Sequence, residues 1–135
     1  MDLMLRGRVA AITGPAKGMG AAITRAFAAE GCRLVLIGRD VAAIAPVAEE
    51  VEAITEVLVV QTDITSDAAC FAAAEQAKAR FGTVDILVNV AGGSGPIGKT
   101  GLQTTQAEYD EIVELNMRGC FNTIRAFAPL MVAQR

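Results

Sequence analysis

An α/β fold with a parallel sheet is predicted for this chain of 135 residues, and three observations predict it. Short apolar runs rich in Val, Ile and Leu at residues 9–12, 34–37, 57–60 and 86–90 read as strands buried on both faces. Stretches with helical spacing separate them, and that alternation calls for right-handed crossovers between parallel neighbours. Hydrophobic residues make up 53% of the chain and charged residues 20%, enough apolar surface to offset the entropy of ordering a single domain over residues 1–135.

Each element follows from local signals. The first helix is expected from about residue 18 to 30, with Met19, Ile23, Ala26 and Phe27 on its apolar face and Gly31 as its stop. The second starts after Asp40 on a stripe of Val41, Ile44, Ala48 and Val51, and Pro46 is expected to bend it or delay its first turn. The third runs from Ser66 or Asp67 to Phe81 with Phe71, Ala74, Lys78 and Phe81 aligned, and Gly82 ends it. The last opens on a capping box, Thr105 with Glu108, and continues toward the chain end with interruptions at Gly119 and Pro129. If the first strand is central, with the second and third on one side and the fourth on the other, the fourth lies at an open edge. The fold then reads as an incomplete doubly wound sheet, its first four strands and their helices.

Composition removes several function classes. Twelve Lys and Arg stand against 15 Asp and Glu, a net charge of −3, so no basic field exists for nucleic acid. His is absent, which excludes Ser-His-Asp and Cys-His pairs and His-ligated zinc, and no metal site is expected. Cys32, Cys70 and Cys120 are far apart and lack Cys-x-x-Cys spacing, which suits small buried residues in a reducing, cytoplasmic compartment. The N-terminal stretch meets Arg6 and Gly7 at once, and the apolar run at residues 41–48 is short and holds Pro46. Neither a signal peptide nor a membrane span is predicted.

The strongest motif is Thr13-Gly14-Pro15-Ala16-Lys17-Gly18-Met19-Gly20, between the first strand and the first helix. Glycines there permit a tight turn and close backbone approach to a pyrophosphate, and the helix N-terminus favours the anion. The alternative is a glycine-rich turn without a ligand. A βαβ context gives the nucleotide reading its weight, with a Rossmann-type sheet as the frame.

The spacing G-x-x-x-G-x-G, with Asp63-Ile64 after the third strand and Asn89-Val90-Ala91-Gly92 after the fourth, resembles the N-terminal half of a short-chain dehydrogenase/reductase. The resemblance covers essentially the whole chain. It implies that Gly14, Gly18, Met19 and Gly20 bind the cofactor pyrophosphate, that Asp63 and Ile64 bind adenine, and that Asn89, Ala91 and Gly92 support the sheet and line the nucleotide site. Val90 stands where the family carries a second Asn. Arg39, following Gly38 at the end of the second strand, is placed by the family pattern to meet a 2′-phosphate, with Asp40 read as a helix cap. Lys17 is either a second positive charge for that phosphate or a solvated loop lysine. NADP is therefore favoured, with NAD as the alternative.

Asn116 lies on the apolar stripe of the last helix, four residues after Ile112, where an amide must find partners. The resemblance makes it a catalytic Asn that helps hold a proton-relay water; the alternative is a structural amide near a kink at Gly119. The family's Tyr-x-x-x-Lys pair is absent from these residues, because Tyr109 is followed four positions later by Val113. The resemblance implies hydride transfer between the cofactor and an alcohol or ketone in a homo-oligomer. A non-catalytic nucleotide-binding module or truncated product is the competing reading. A rival motif, Gly93-Ser94-Gly95-Pro96-Ile97-Gly98-Lys99-Thr100, matches the P-loop pattern, although its helix is expected only near Thr104.

Overall fold

Strands β1 (Val9–Thr13), β2 (Arg33–Gly38), β3 (Val57–Gln61) and β4 (Ile86–Asn89) form one parallel sheet in the order β3-β2-β1-β4. The computed structural model describes residues 2–134. Ala11 stands opposite Val35 of β2 and Leu87 of β4, and Val35 stands opposite Leu58 of β3. The expected burial of all strands on both faces holds for the two central ones only. β1 is buried throughout and β2 from Leu34 to Ile37, whereas β3 and β4 are mostly half-buried, because among the described residues each has a neighbouring strand on one side only.

Side chains alternate across the sheet with the period of two that extended backbone imposes. Val9 and Ala11 face a layer formed by α3 (Asp67–Phe81) and α5 (Gly119–Val132), where Ala74, Ala77, Phe81 and Phe127 close the core. Ala10 and Ile12 face α1 (Gly18–Ala29) and α2 (Val41–Glu52), with Ala28, Ile44, Ala48 and Val51. Helices on both faces of a parallel sheet make the fold doubly wound, as predicted.

Two helix faces differ from expectation. On α1 the buried positions are Gly20, Ala21, Thr24 and Ala28; Ile23 and Phe27 are half-buried, Ala26 is exposed and Met19 is 71% exposed. Thr24 can be buried because its hydroxyl donates to the Gly20 carbonyl at 2.8 Å, which satisfies its polar atom inside the helix. On α3 the buried face is Cys70, Ala73, Ala74, Ala77 and Phe81, while Phe71 and Lys78 are exposed. An alanine-rich helix has little apolar asymmetry, so the neighbouring elements decide which face is covered.

Pro46 neither delays nor ends α2, which begins at Val41 directly after its cap. Pro46 and Ala42 are both exposed, so water can satisfy the carbonyl left without an amide donor. Pro129 likewise sits on the exposed side of α5 without ending it. The interruption expected at Gly119 lies just before it: α4 (Gln106–Val113) passes into a π-helical stretch, Glu114–Arg118, and then into α5. Among the described residues, no helix is long and apolar enough to cross a membrane.

Candidate functional site

The carboxyl ends of all four strands meet at one edge of the sheet, where a parallel α/β fold leaves room for a ligand. The chain leaves β1 through Gly14, whose φ of +66° favours glycine, and Gly14 N–H donates to the Ile37 carbonyl of β2 at 3.0 Å. A Cβ on Gly14 would stand 2.9 Å from the Cα and N of Ala91, and one on Gly20 would stand 1.9 Å from the Gly14 carbonyl oxygen. The loop is thus wedged between β2, the segment after β4 and the first turn of α1. Gly18, with φ +53°, has open space where a side chain would be.

The start of α1 has no capping side chain and no acid in its first turn. By contrast, Asp40 caps α2, Ser66 caps α3 and Thr105 caps α4 with the predicted Glu108 box. The first amides of α1, those of Gly18, Met19 and Gly20, are left to an anion or solvent, at the positive end of the helix dipole.

In front of this turn lies a cleft of about 340 Å³, lined among others by Gly14, Lys17, Arg39, Ile64, Ala91 and Gly92. Lys17 and Arg39 are exposed and bring two positive charges to it. Asp40 also borders it, but its Oδ1 accepts the Ala43 amide at 3.0 Å, which is the cap role the sequence predicts. Asp63 stands between Thr62 and Ile64 at the cleft wall. Its Oδ1 accepts the Thr65 hydroxyl at 2.7 Å and the Thr65 amide at 2.9 Å; these bonds, with Arg39 nearby, hold its carboxyl below the usual carboxylate range. Ile64 is buried, and its side chain fills the space in front of Gly119, where a Cβ would come within 2.6 Å of Ile64 Cδ1.

Beyond β4, Val90 N–H and Ala91 N–H both donate to Thr13 Oγ1, at 3.0 and 3.1 Å. Asn89 is exposed and its Oδ1 accepts the Thr123 hydroxyl at 2.7 Å. Asn116 departs from its expected burial on an apolar stripe. It lies in the π-helical stretch and is exposed, because the widened turn changes the face it presents. Its amide still finds partners: Nδ2 donates to the Gly93 and Ile112 carbonyls, both at 2.9 Å, and Oδ1 accepts Gly93 N–H at 3.1 Å. A Cβ on Gly92 would stand 2.6 Å from that Oδ1.

Of the predicted residues, Gly14, Lys17, Arg39, Ile64, Ala91 and Gly92 line the cleft. Gly18, Met19 and Gly20 form the helix start beside it, Asp63 adjoins its wall, and Asn89 and Asn116 brace its β4 side. Sequence reasoning missed Asn122 and Thr123 and quoted Thr13 only as the first residue of the glycine motif; all three are buried polar residues that tie the surrounding loops together. Asn122 and Thr123 precede the buried Ala126 by four and three positions, so the argument used for Asn116, an amide on an apolar stripe, could have found them.

The rival phosphate loop is not assembled. Lys99 is ion-paired with Glu108, Thr100 caps only a three-residue 3₁₀ turn, Gly101–Gln103, and α4 begins later at Gln106. The adjoining cavity carries Glu108 and Glu111, which disfavour phosphate. Among the described residues no cluster of His, Cys, Asp or Glu could hold a metal.

Residues 8–135 match the family described as short chain dehydrogenase. The chain is 41% identical over 132 residues to galactitol 2-dehydrogenase (L-tagatose-forming) of Cereibacter sphaeroides, covering 96% of this chain and 50% of that one. It superposes with a TM-score of 0.90 and 33% identity on L-sorbose reductase from Gluconobacter frateurii complexed with NADPH and L-sorbose, over 99% of this chain and 51% of that one. A short chain dehydrogenase/reductase from Burkholderia phymatum in complex with NAD gives a TM-score of 0.88 at 32% identity, over 96% and 46%. The chain therefore spans about half the length of the relatives it matches.

Proposed function

The chain belongs to the short-chain dehydrogenase family, and from that premise we propose that it forms the cofactor-binding part of an oxidoreductase that uses NADP(H) on an alcohol or ketone. One observation carries the proposal: an uncapped helix start faces a cleft in which Lys17 and Arg39 supply positive charge while the carboxylate of Asp40 is occupied as a cap. The wedged glycines support the fit, since Cβ atoms at Gly14 and Gly20 would collide with backbone.

In this reading the amides of Gly18, Met19 and Gly20 receive the pyrophosphate, with Gly14 keeping the turn close. Arg39 and Lys17 hold a 2′-phosphate, Asp63 and Ile64 border adenine, and Asn89, Ala91 and Gly92 form the wall toward β4. Asn116 fixes the loop at Gly93 at the proton-relay end of the site. The nicotinamide, when bound, supplies or accepts the hydride. NADP over NAD rests on Arg39, because a guanidinium pairs two-pronged with a phosphate that NAD lacks.

Titration of the natural protein with NADPH and NADH tests the preference. NADPH should bind at least about tenfold tighter, and Arg39→Leu should remove about tenfold or more of that affinity while leaving NADH unchanged. Equal affinities for the two cofactors would overturn the preference. Galactitol and L-sorbose, the compounds of the two named relatives, are the first substrates to try for turnover. The exposed Met117, Phe121 and Ile124 on the outer face of the last helical run support a homo-oligomer, to be checked by light scattering, and we place it in the cytoplasm.

The non-catalytic reading keeps one observation in its favour: Tyr109 is the only tyrosine in these 135 residues, and Val113 follows it at the fourth position. The intact mass of the protein from its natural source, against 14.0 kDa for this chain, separates the two together with turnover. A mass near double with turnover supports the enzyme; 14.0 kDa without turnover supports the module.

A further inference from the structure

The helix that follows the π-helical stretch does not line the cleft, yet it grips the loop that forms one wall. Asn122 of α5 is 4% exposed, and its Nδ2 donates to the Ile64 carbonyl at 2.9 Å and to the Thr65 carbonyl at 3.2 Å. These carbonyls belong to the turn after β3, past the end of the sheet ladder, where backbone acceptors need partners from elsewhere. On its other side the same turn is held by Asp63 Oδ1, which accepts the amide and hydroxyl of Thr65. One turn back along α5, Gly119 lies against the Ile64 side chain with no room for a Cβ. Asp63 and Ile64 therefore keep their place at the cleft because a buried amide behind them fixes the backbone between them and α3.

We infer that Asn122 is a positioning residue for the adenine end of the cleft: by donating to both carbonyls it sets where Ile64 and Asp63 meet the adenosine half of a dinucleotide. The inference rests on the cofactor reading above. The neighbouring Thr123, bonded to Asn89 Oδ1, extends the same braced helix turn to the end of β4, so one turn of α5 holds two of the loops around the cleft in mutual register. A residue with no donor at position 122 would take the Asn122 partner from the Thr65 carbonyl and leave the Ile64 carbonyl with only the weak Cys70 thiol, at 3.5 Å, and so let the turn shift without touching the glycine loop or Arg39.

The test uses the natural protein and its Asn122→Asp variant, which keeps the side-chain shape, removes the donors and sets a carboxylate against two carbonyls. Affinities for 2′,5′-ADP and for nicotinamide mononucleotide are measured by NMR titration alongside the thermal midpoint. The expected result is a loss of about tenfold or more for 2′,5′-ADP with nicotinamide mononucleotide unchanged. An equal loss for both, or a lower thermal midpoint with 2′,5′-ADP affinity intact, would overturn the inference while leaving the cofactor reading standing. Failure of the unmutated protein to bind 2′,5′-ADP would overturn both. Should the variant not fold, hydrogen exchange on the unmutated protein decides: 2′,5′-ADP should slow the amides of residues 119–123 together with those of 62–66, and protection confined to 62–66 would refute the coupling.

Discussion

Replacing Thr13 by Val preserves the side chain's shape and removes one oxygen on which two loops depend. Thr13 is wholly buried at the end of β1, and its Oγ1 accepts both Val90 N–H and Ala91 N–H. A buried amide stripped of its acceptor costs about 1–3 kcal/mol; these two lie in partly buried surroundings, so the lower end applies to each and the pair loses about 2 kcal/mol. Thr13→Ser keeps the acceptor and gives up one buried methyl, about 1 kcal/mol with its small cavity. With a urea slope of about 2 kcal/mol/M, the unfolding midpoint should fall by about 1 M for Val and about half that for Ser. Because Ala91 lines the cleft and abuts Gly14, NADPH affinity should fall in the Val variant and hold in the Ser variant. If Ser were as damaging as Val, or more so, methyl packing rather than the hydroxyl would be what matters, and the reasoning would fail.

Other outcomes follow from the same geometry. Gly20→Ala should abolish tight NADPH binding, since its Cβ would lie 1.9 Å from the Gly14 carbonyl oxygen. Gly82→Ala, at φ +81° but in open space, should cost about 1 kcal/mol of stability and leave NADPH affinity alone, which binding and melting curves can separate. Thr65→Val removes the hydroxyl bond to Asp63, so the Asp63 carboxyl should titrate closer to the ordinary value by carbon-13 NMR. The sign follows: a carboxyl depressed in the folded state stabilises above its unfolded pKa and loses that contribution as pH falls through the folded value, so the variant should lose less on acidification. An unmoved titration would refute the assignment. Burial pushes the Cys70 thiol up to about 11, and Cys32 is equally enclosed, so alkylation of the native protein near neutral pH should label Cys120 first by mass spectrometry. Early labelling of Cys70 would contradict its burial.

The sequence by itself determined the succession of strands and helices, the glycine turn into the first helix and the caps at Asp40 and Thr105, whereas the strand order was a conditional expectation that the packed sheet settled. The former are properties of contiguous segments: apolar runs, glycine spacing and a polar residue at a helix start act through neighbours a few positions away. Of the residues that border the cleft, the glycine turn was legible locally, Arg39, Ile64, Ala91 and Gly92 were reached through the family resemblance, and Ala43, Ile44, Thr62 and Leu115 were not foreseen there. Only the tertiary structure decided which face of the alanine-rich α3 is buried, why Thr24 rather than Met19 turns inward on α1, and how the π-helical stretch brings Asn116 to Gly93. It also decided the bonds from Thr13 to Val90 and from Asn122 to Ile64, which join residues 77 and 58 positions apart. Such pairs depend on where the sheet brings two distant turns. A buried polar side chain announces that it needs a partner, but only the packed chain settles which backbone group meets it.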